Sequence, residues 1–232
     1  MDGVTVAVDR TTRRTGISSL HSESLLVGRT LEQIFLREEL AAVLAGRGRL
    51  VLIGGDAGIG KTALARDLAA AAATRGVRVL EGACFDLTST PPYGPWRELF
   101  EACERETDAP STPNAFVGGR LKAIADQATL FTDVRRFFAE LAEAGPTLIL
   151  LEDLHWADPA SLELLRYLAP RFQQWPILLL VTYRGDELTR RHPFAVQLPA
   201  LVREADGLRL DLHRLELDAI RALVASRSPL PT

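Results

Sequence analysis

The run Gly55-Asp56-Ala57-Gly58-Ile59-Gly60-Lys61-Thr62 constrains this chain more than any other feature in it. It fits G-x-x-x-x-G-K-[ST] and lies between an apolar segment, Arg49 to Ile53, and an Ala-rich one, Lys61 to Arg75. A buried strand that turns through glycines into a helix is the setting in which this pattern has a mechanism. Gly54, Gly55, Gly58 and Gly60 let the backbone wrap so that successive N–H groups converge on an anion. The helix contributes its positive N-terminal end. On this reading the loop from Gly55 to Ala63 cradles phosphates. Lys61 reaches the β- and γ-phosphates, and the Thr62 hydroxyl ligates Mg²⁺.

The rest of the chain alternates strand and helix. Apolar residues recur at helical spacing from Thr30 to Leu44, and Val77 to Ala83 reads as a second strand. A loop with Pro91, Pro92, Gly94 and Pro95 disfavours helix. Helical patterns then cover Pro95 to Glu106, Ala115 to Gln127 and Thr132 to Ala144. The most apolar strand, Thr147 to Asp158, follows Gly145-Pro146. Asp158-Pro159 opens a helix to about Phe172, an N-cap acid with Pro at the first helical position. A strand from Ile177 to Thr182 runs on into Tyr183 and Arg184, and a helix spans Pro193 to Glu204. A last strand, Leu208 to Leu212, and a short helix, Glu216 to Ala225, complete the pattern. Apolar strands bounded by helices predict a parallel sheet between two helix layers, a three-layer α/β/α P-loop NTPase.

Such a loop needs acids at the end of another strand to hold Mg²⁺ and orient water. Glu152 and Asp153 end the apolar run Leu148 to Leu151, and strand alternation sends them to opposite sides. One then contacts the metal, and the other acts as base or hydrogen-bond acceptor. Arg184, at the end of the next apolar strand, has the guanidinium geometry that suits phosphate oxygens. His155 and Trp156 are read as orienting the Asp153 loop, and Tyr93 and Trp96 as a packed cap on the second strand.

Composition narrows the alternatives. A net charge of −3 gives no electrostatic case for direct nucleic-acid binding. The two cysteines, Cys84 and Cys103, read as reduced structural thiols of a cytoplasmic protein. No apolar run reaches the ~18 residues of a membrane span, and the N-terminus is not a secretory signal.

Together, LVGR (Leu26 to Arg29), the P-loop, LILLEDLHWADP (Leu148 to Pro159) and LLLVTYRGDEL (Leu178 to Leu188) resemble the STAND-class, AAA+-like signal-transduction ATPases. Those of large LuxR-type transcriptional regulators, and of related proteins fused to cyclases or kinases, are the nearest in pattern. The resemblance implies an ATP/ADP switch with slow Mg²⁺-dependent hydrolysis, self-association or missing C-terminal domains as partners, and Val27, Gly28 and Arg29 against the nucleotide base; the alternatives are a truncated, weakly binding remnant of a larger regulator and a genuine turnover ATPase. It implies metal ligation by Thr62 and Glu152, the latter through water, a water-directing Asp153, and charge stabilisation by Lys61 and Arg184. The family's usual Asp at the magnesium position is Glu152 here. The organisation expected is a flexible extension over 1–23, an ATPase core over 24–213, and the start of a truncated helical lid over 214–232.

Overall fold

The computed structural model describes residues 26–86, 91–106, 109–119 and 126–227. Helix α1 (Thr30–Leu44) leads into β1 (Arg49–Gly55), the P-loop and α2 (Lys61–Ala73). Then come β2 (Arg78–Ala83), α3 (Gly94–Glu104), a 3-10 turn (Val117–Gly119) and α4 (Gln127–Ala144). The second half holds β3 (Thr147–Glu152), a 3-10 turn (Leu154–Trp156), α5 (Pro159–Phe172) and β4 (Ile177–Arg184). It closes with α6 (Pro193–Glu204), β5 (Leu208–Asp211) and α7 (Leu217–Arg227).

Among the described residues, five strands form one parallel sheet in the order β2-β3-β4-β1-β5. Because successive side chains point to opposite faces, β1 sends Leu50 and Leu52 to one core and Val51 and Ile53 to the other. The second core is filled by α1 and α2 through Leu36, Leu40, Leu64 and Leu68. The first packs against α3 to α6 through Trp96, Phe100, Phe138, Leu165 and Phe194. Both faces of the sheet are therefore covered, which is why β3 and β4 read as unbroken apolar runs. The expected three-layer architecture is the one found.

Three expectations about local structure need correction. The strand predicted over Thr147 to Asp158 ends at Glu152. Asp153 takes a left-handed conformation (φ 54°), which no strand accommodates, and Leu154–Trp156 form a 3-10 turn. The helix predicted over Ala115 to Gln127 is absent where it is described. Val117–Gly119 is a single turn, and Asp126 is extended because its carboxylate caps α4 by accepting from Thr129 N–H at 3.0 Å. Residues 120–125, like the extension over 1–23, lie outside the described residues. Helix α4 accordingly starts at Gln127 rather than Thr132.

Other local readings hold. Asp158 caps α5 through Ser161 N–H at 2.9 Å, with Pro159 next to it. Trp96 and Tyr93 are buried, and Trp96 Nε1–H donates to Ser161 O at 3.1 Å. Their helix sits on β2 so closely that a Cβ at Gly82 would lie 2.1 Å from the Pro95 carbonyl oxygen. Cys84 and Cys103 are buried free thiols whose ionisation burial pushes well up. Among the described residues, no helix is long and apolar enough to cross a membrane.

Candidate functional site

The C-terminal ends of β1, β3 and β4 meet at one edge of the sheet, where ligands bind in open parallel sheets. Register brings Gly55 beside Arg184 and Ile53 beside Thr182, while Leu151 pairs with Val181. The P-loop, Asp153 and Arg184 thus face one cleft of about 390 Å³, lined by residues 58–63, Arg66, Asp153 and Arg184.

The P-loop keeps a wrapped conformation through left-handed Gly58 (φ 69°) and Gly60 (φ 103°), the latter immediately preceding α2. A Cβ at either would meet nothing within 4 Å, so these two serve backbone conformation, not packing. Gly54 has the other role. A Cβ there would fall 2.6 Å from both Tyr183 Oη and Asp211 Oδ1. It is not one of the wrapping glycines expected from the sequence: its place in β1 is set by the neighbouring strands.

Lys61 is buried, with Nζ donating at 2.8 Å to the carbonyl oxygens of both Gly55 and Asp56. Burial pulls its pKa down, against the opposing pull of Asp153. The ammonium is thereby parked inside the loop by the loop's own backbone. Asp56, Ala57 and Gly58 are exposed, Ile59, Gly60 and Thr62 are half-buried, and Ala63 is exposed on the first turn of α2.

The two acids diverge. Glu152 is mostly withdrawn from solvent, with Oε2 3.3 Å from Arg66 Nη2 and Oε1 buried without a hydrogen-bond partner. Burial pushes its carboxyl up, and the Arg66 guanidinium and Thr62 hydroxyl pull it back. Asp153 opens onto the cleft instead. Its left-handed backbone is pinned by its own N–H, which donates to Thr182 Oγ1 at 3.0 Å on the neighbouring strand. The structure meets the chemistry of a magnesium site at one point in particular. Glu152 offers a buried carboxylate oxygen without a hydrogen-bond partner, and its carboxyl group is within the influence of the Thr62 hydroxyl; oxygen donors of this kind are what a hard cation takes.

Arg184 lies at the cleft with its guanidinium 4.6 Å above the Trp156 ring and Nη1 2.6 Å from Glu187 Oε1. Its backbone N–H donates to His155 Nδ1 at 3.4 Å. The His155 ring is fully enclosed, and burial lowers its pKa. Its Nδ1 is 3.9 Å from Asp153 Oδ1, beyond hydrogen-bond range, so His155 packs under the Asp153 loop without bonding to its carboxylate.

The LVGR residues take different positions. Gly28 borders a second cleft of about 320 Å³, with Thr30, Glu32, Glu216 and Ala219. Val27 is half-buried. Arg29 is buried, and its Nη2 donates to Ile59 O at 2.9 Å and His213 O at 2.7 Å, while Nη1 pairs with Glu32 at 3.0 Å. Its guanidinium therefore ties the P-loop to the segment after β5.

Sequence reasoning missed Thr182, Arg66 and Glu187. Thr182 carried a signal, a small hydroxyl residue ending an otherwise aliphatic run. Glu187 carried a weaker one, its i+3 spacing from Arg184. Arg66 had none, since only the tertiary approach of α2 to β3 brings it to Glu152.

The wound loop, parallel sheet and strand-end acids define a P-loop NTPase of the AAA+ kind. Residues 25–181 match the AAA ATPase domain family, and the chain belongs to it. It is similar to R02095, an uncharacterized protein of Rhizobium meliloti (strain 1021), at 28% identity over 75% of this chain and 21% of that protein. Cdc6p from Pyrobaculum aerophilum shares its fold with TM-score 0.59 at 15% identity, over 86% of this chain and 48% of that one. A chain in the structure of Drosophila ORC bound to DNA does so with TM-score 0.51 at 13% identity, over 81% and 93%. At these identities the structural likeness is one of fold. The chain spans about one fifth of the length of R02095 and about half that of Cdc6p.

Proposed function

We propose that this domain is the ATP-binding module of a STAND-class signal-transduction ATPase, similar to those of LuxR-type regulators, alternating between ATP and ADP states with slow hydrolysis. The observation that carries the reading is the convergence of Lys61, Asp153 and Arg184 on one cleft at the P-loop. Lys61, the amides of residues 58–63 and Arg184 bind the phosphates and stabilise charge that develops on the γ-phosphoryl group. Asp153, free at the cleft, orients the attacking water and takes its proton. Thr62 and Glu152 hold Mg²⁺, whose contribution when bound is to neutralise phosphate charge. Val27 and Gly28 lie toward the base, with Arg29 acting by holding the loop.

Calorimetry with MgATP and MgADP tests the reading. Wild type binds both and Lys61→Ala loses them; a folded wild type that binds neither overturns it. Asp153→Asn is expected to bind ATP and release no phosphate, and unchanged phosphate release in that variant refutes the role of Asp153. The Drosophila ORC neighbour is bound to DNA, whereas this chain, at −3, is proposed not to bind it directly. A duplex mobility shift at physiological salt would refute that.

A further inference from the structure

The Arg184–Glu187 pair has a third member that the proposed reaction leaves unused. His155 Nδ1 accepts the Arg184 backbone N–H, so the neutral imidazole carries its proton on Nε2. That nitrogen is buried without a hydrogen-bond partner, a costly state for a polar group. It lies 3.5 Å from Glu187 Oε2, just beyond good bonding distance, while Glu187 Oε1 is taken by Arg184 at 2.6 Å. One carboxylate therefore faces two donors and satisfies one of them.

We infer that Glu187 is a positioning residue that makes this site distinguish ATP from ADP, holding Arg184 until a third phosphate claims the guanidinium and then passing to His155. The inference rests on the nucleotide reading above. A γ-phosphate at the P-loop offers Arg184 a more highly charged partner than a single carboxylate does. ADP offers no such group, and Arg184 stays on Glu187. Once released, Glu187 needs to close by only about half an ångström to reach a normal bond length from His155 Nε2–H. The exchange removes the unpaired buried donor and keeps the carboxylate turned away from the phosphate. The Arg184 guanidinium, stacked on Trp156 throughout, pivots on that ring.

The test is calorimetric binding of MgATP and MgADP to wild type, Glu187→Gln, Arg184→Ala and the double variant. Glu187 is part-exposed and the Gln variant is isosteric, so the fold is expected to hold, and a thermal melt verifies this. Glu187→Gln is expected to tighten ATP about two- to fivefold, as expected for releasing a part-exposed ion pair. ADP affinity stays unchanged. The effect vanishes when Arg184 is also Ala. Equal tightening of both nucleotides, or of neither, overturns the inference while leaving the nucleotide reading intact. Wild type that binds neither nucleotide sinks both. For the hand-over, the His155 Nε2–H signal in ¹⁵N NMR is expected to shift with ATP and not with ADP. A signal indifferent to the third phosphate removes His155 from the mechanism.

Discussion

Thr182→Val probes the link between the sheet and the chemistry at a single atom. Thr182 is fully buried on β4, and its Oγ1 accepts the Asp153 N–H at 3.0 Å. Valine has nearly the same shape, so no cavity opens and the change is confined to that acceptor. Losing it leaves a partly buried N–H unpaired, which costs about 1–3 kcal/mol. Sparing the buried hydroxyl its own desolvation returns a part, so the net loss is expected near 1 kcal/mol. For a chain of this size that corresponds to a melting point about 2–4 °C lower. Asp153 holds a left-handed conformation that a non-glycine residue adopts only when its surroundings impose it. Without its tether the carboxylate loses its fixed place at the cleft, and turnover is expected to fall about tenfold, equivalent to roughly 1.4 kcal/mol. ATP affinity, which rests on Lys61 and the loop, is expected to hold. Urea unfolding and single-turnover phosphate release measure the two effects, with Thr182→Ser retaining both. A variant destabilised as expected but hydrolysing at the wild-type rate would show that the tether serves the fold alone. One unchanged in stability would refute the hydrogen-bond argument itself.

Gly28→Ala places a Cβ 2.5 Å from the Ala219 side chain at φ 79°. Backbone strain of about 1–2 kcal/mol and overpacking of about 1–3 kcal/mol should lower the unfolding midpoint in urea. Gly48→Ala is expected to be worse, more than 3 kcal/mol, because the new atom would lie 1.6 Å from the Phe172 carbonyl oxygen; soluble yield and melting point check this. Glu152→Gln is expected to raise stability at neutral pH. Its carboxyl is raised on folding, so charging it opposes the folded state above that raised value, and the opposition disappears as pH falls below the ordinary 4.5. The advantage of the Gln variant should therefore shrink across a series of melts from pH 7 toward pH 4, and an advantage independent of pH would contradict the burial argument.

The elements with punctuation at both ends were the most legible. Helix α5 begins where Asp158-Pro159 says it must, and α6 occupies Pro193–Glu204 as read. The P-loop, Lys61 and the strand-end acids were visible as pattern, because phosphate binding demands particular residues at fixed spacing. The end of β3 was not, since the apolar stretch leading to Trp156 continues past the point where Asp153 turns. Gly54 illustrates a different gap: its chemistry is shared by every glycine, and only the strand order puts Tyr183 and Asp211 against it. The Thr182 tether and the Glu187–His155 contact likewise depend on which strand lies beside which. Parallel strands separated by helices carry no local record of that order.

Arg29 gives the molecule a history as well as a shape. One guanidinium nitrogen binds both Ile59 O, early in the chain, and His213 O, 184 positions downstream of itself. The strand bearing the P-loop also acquires its two neighbours, β4 and β5, only from the distal half. During synthesis from the N-terminus, the loop is therefore made long before β4, β5 or the His213 carbonyl can brace it. A ribosome-bound chain stopped before residue 213 carries the whole phosphate-binding motif and an unfinished site, which comes together only as β5 and the carbonyl beyond it emerge.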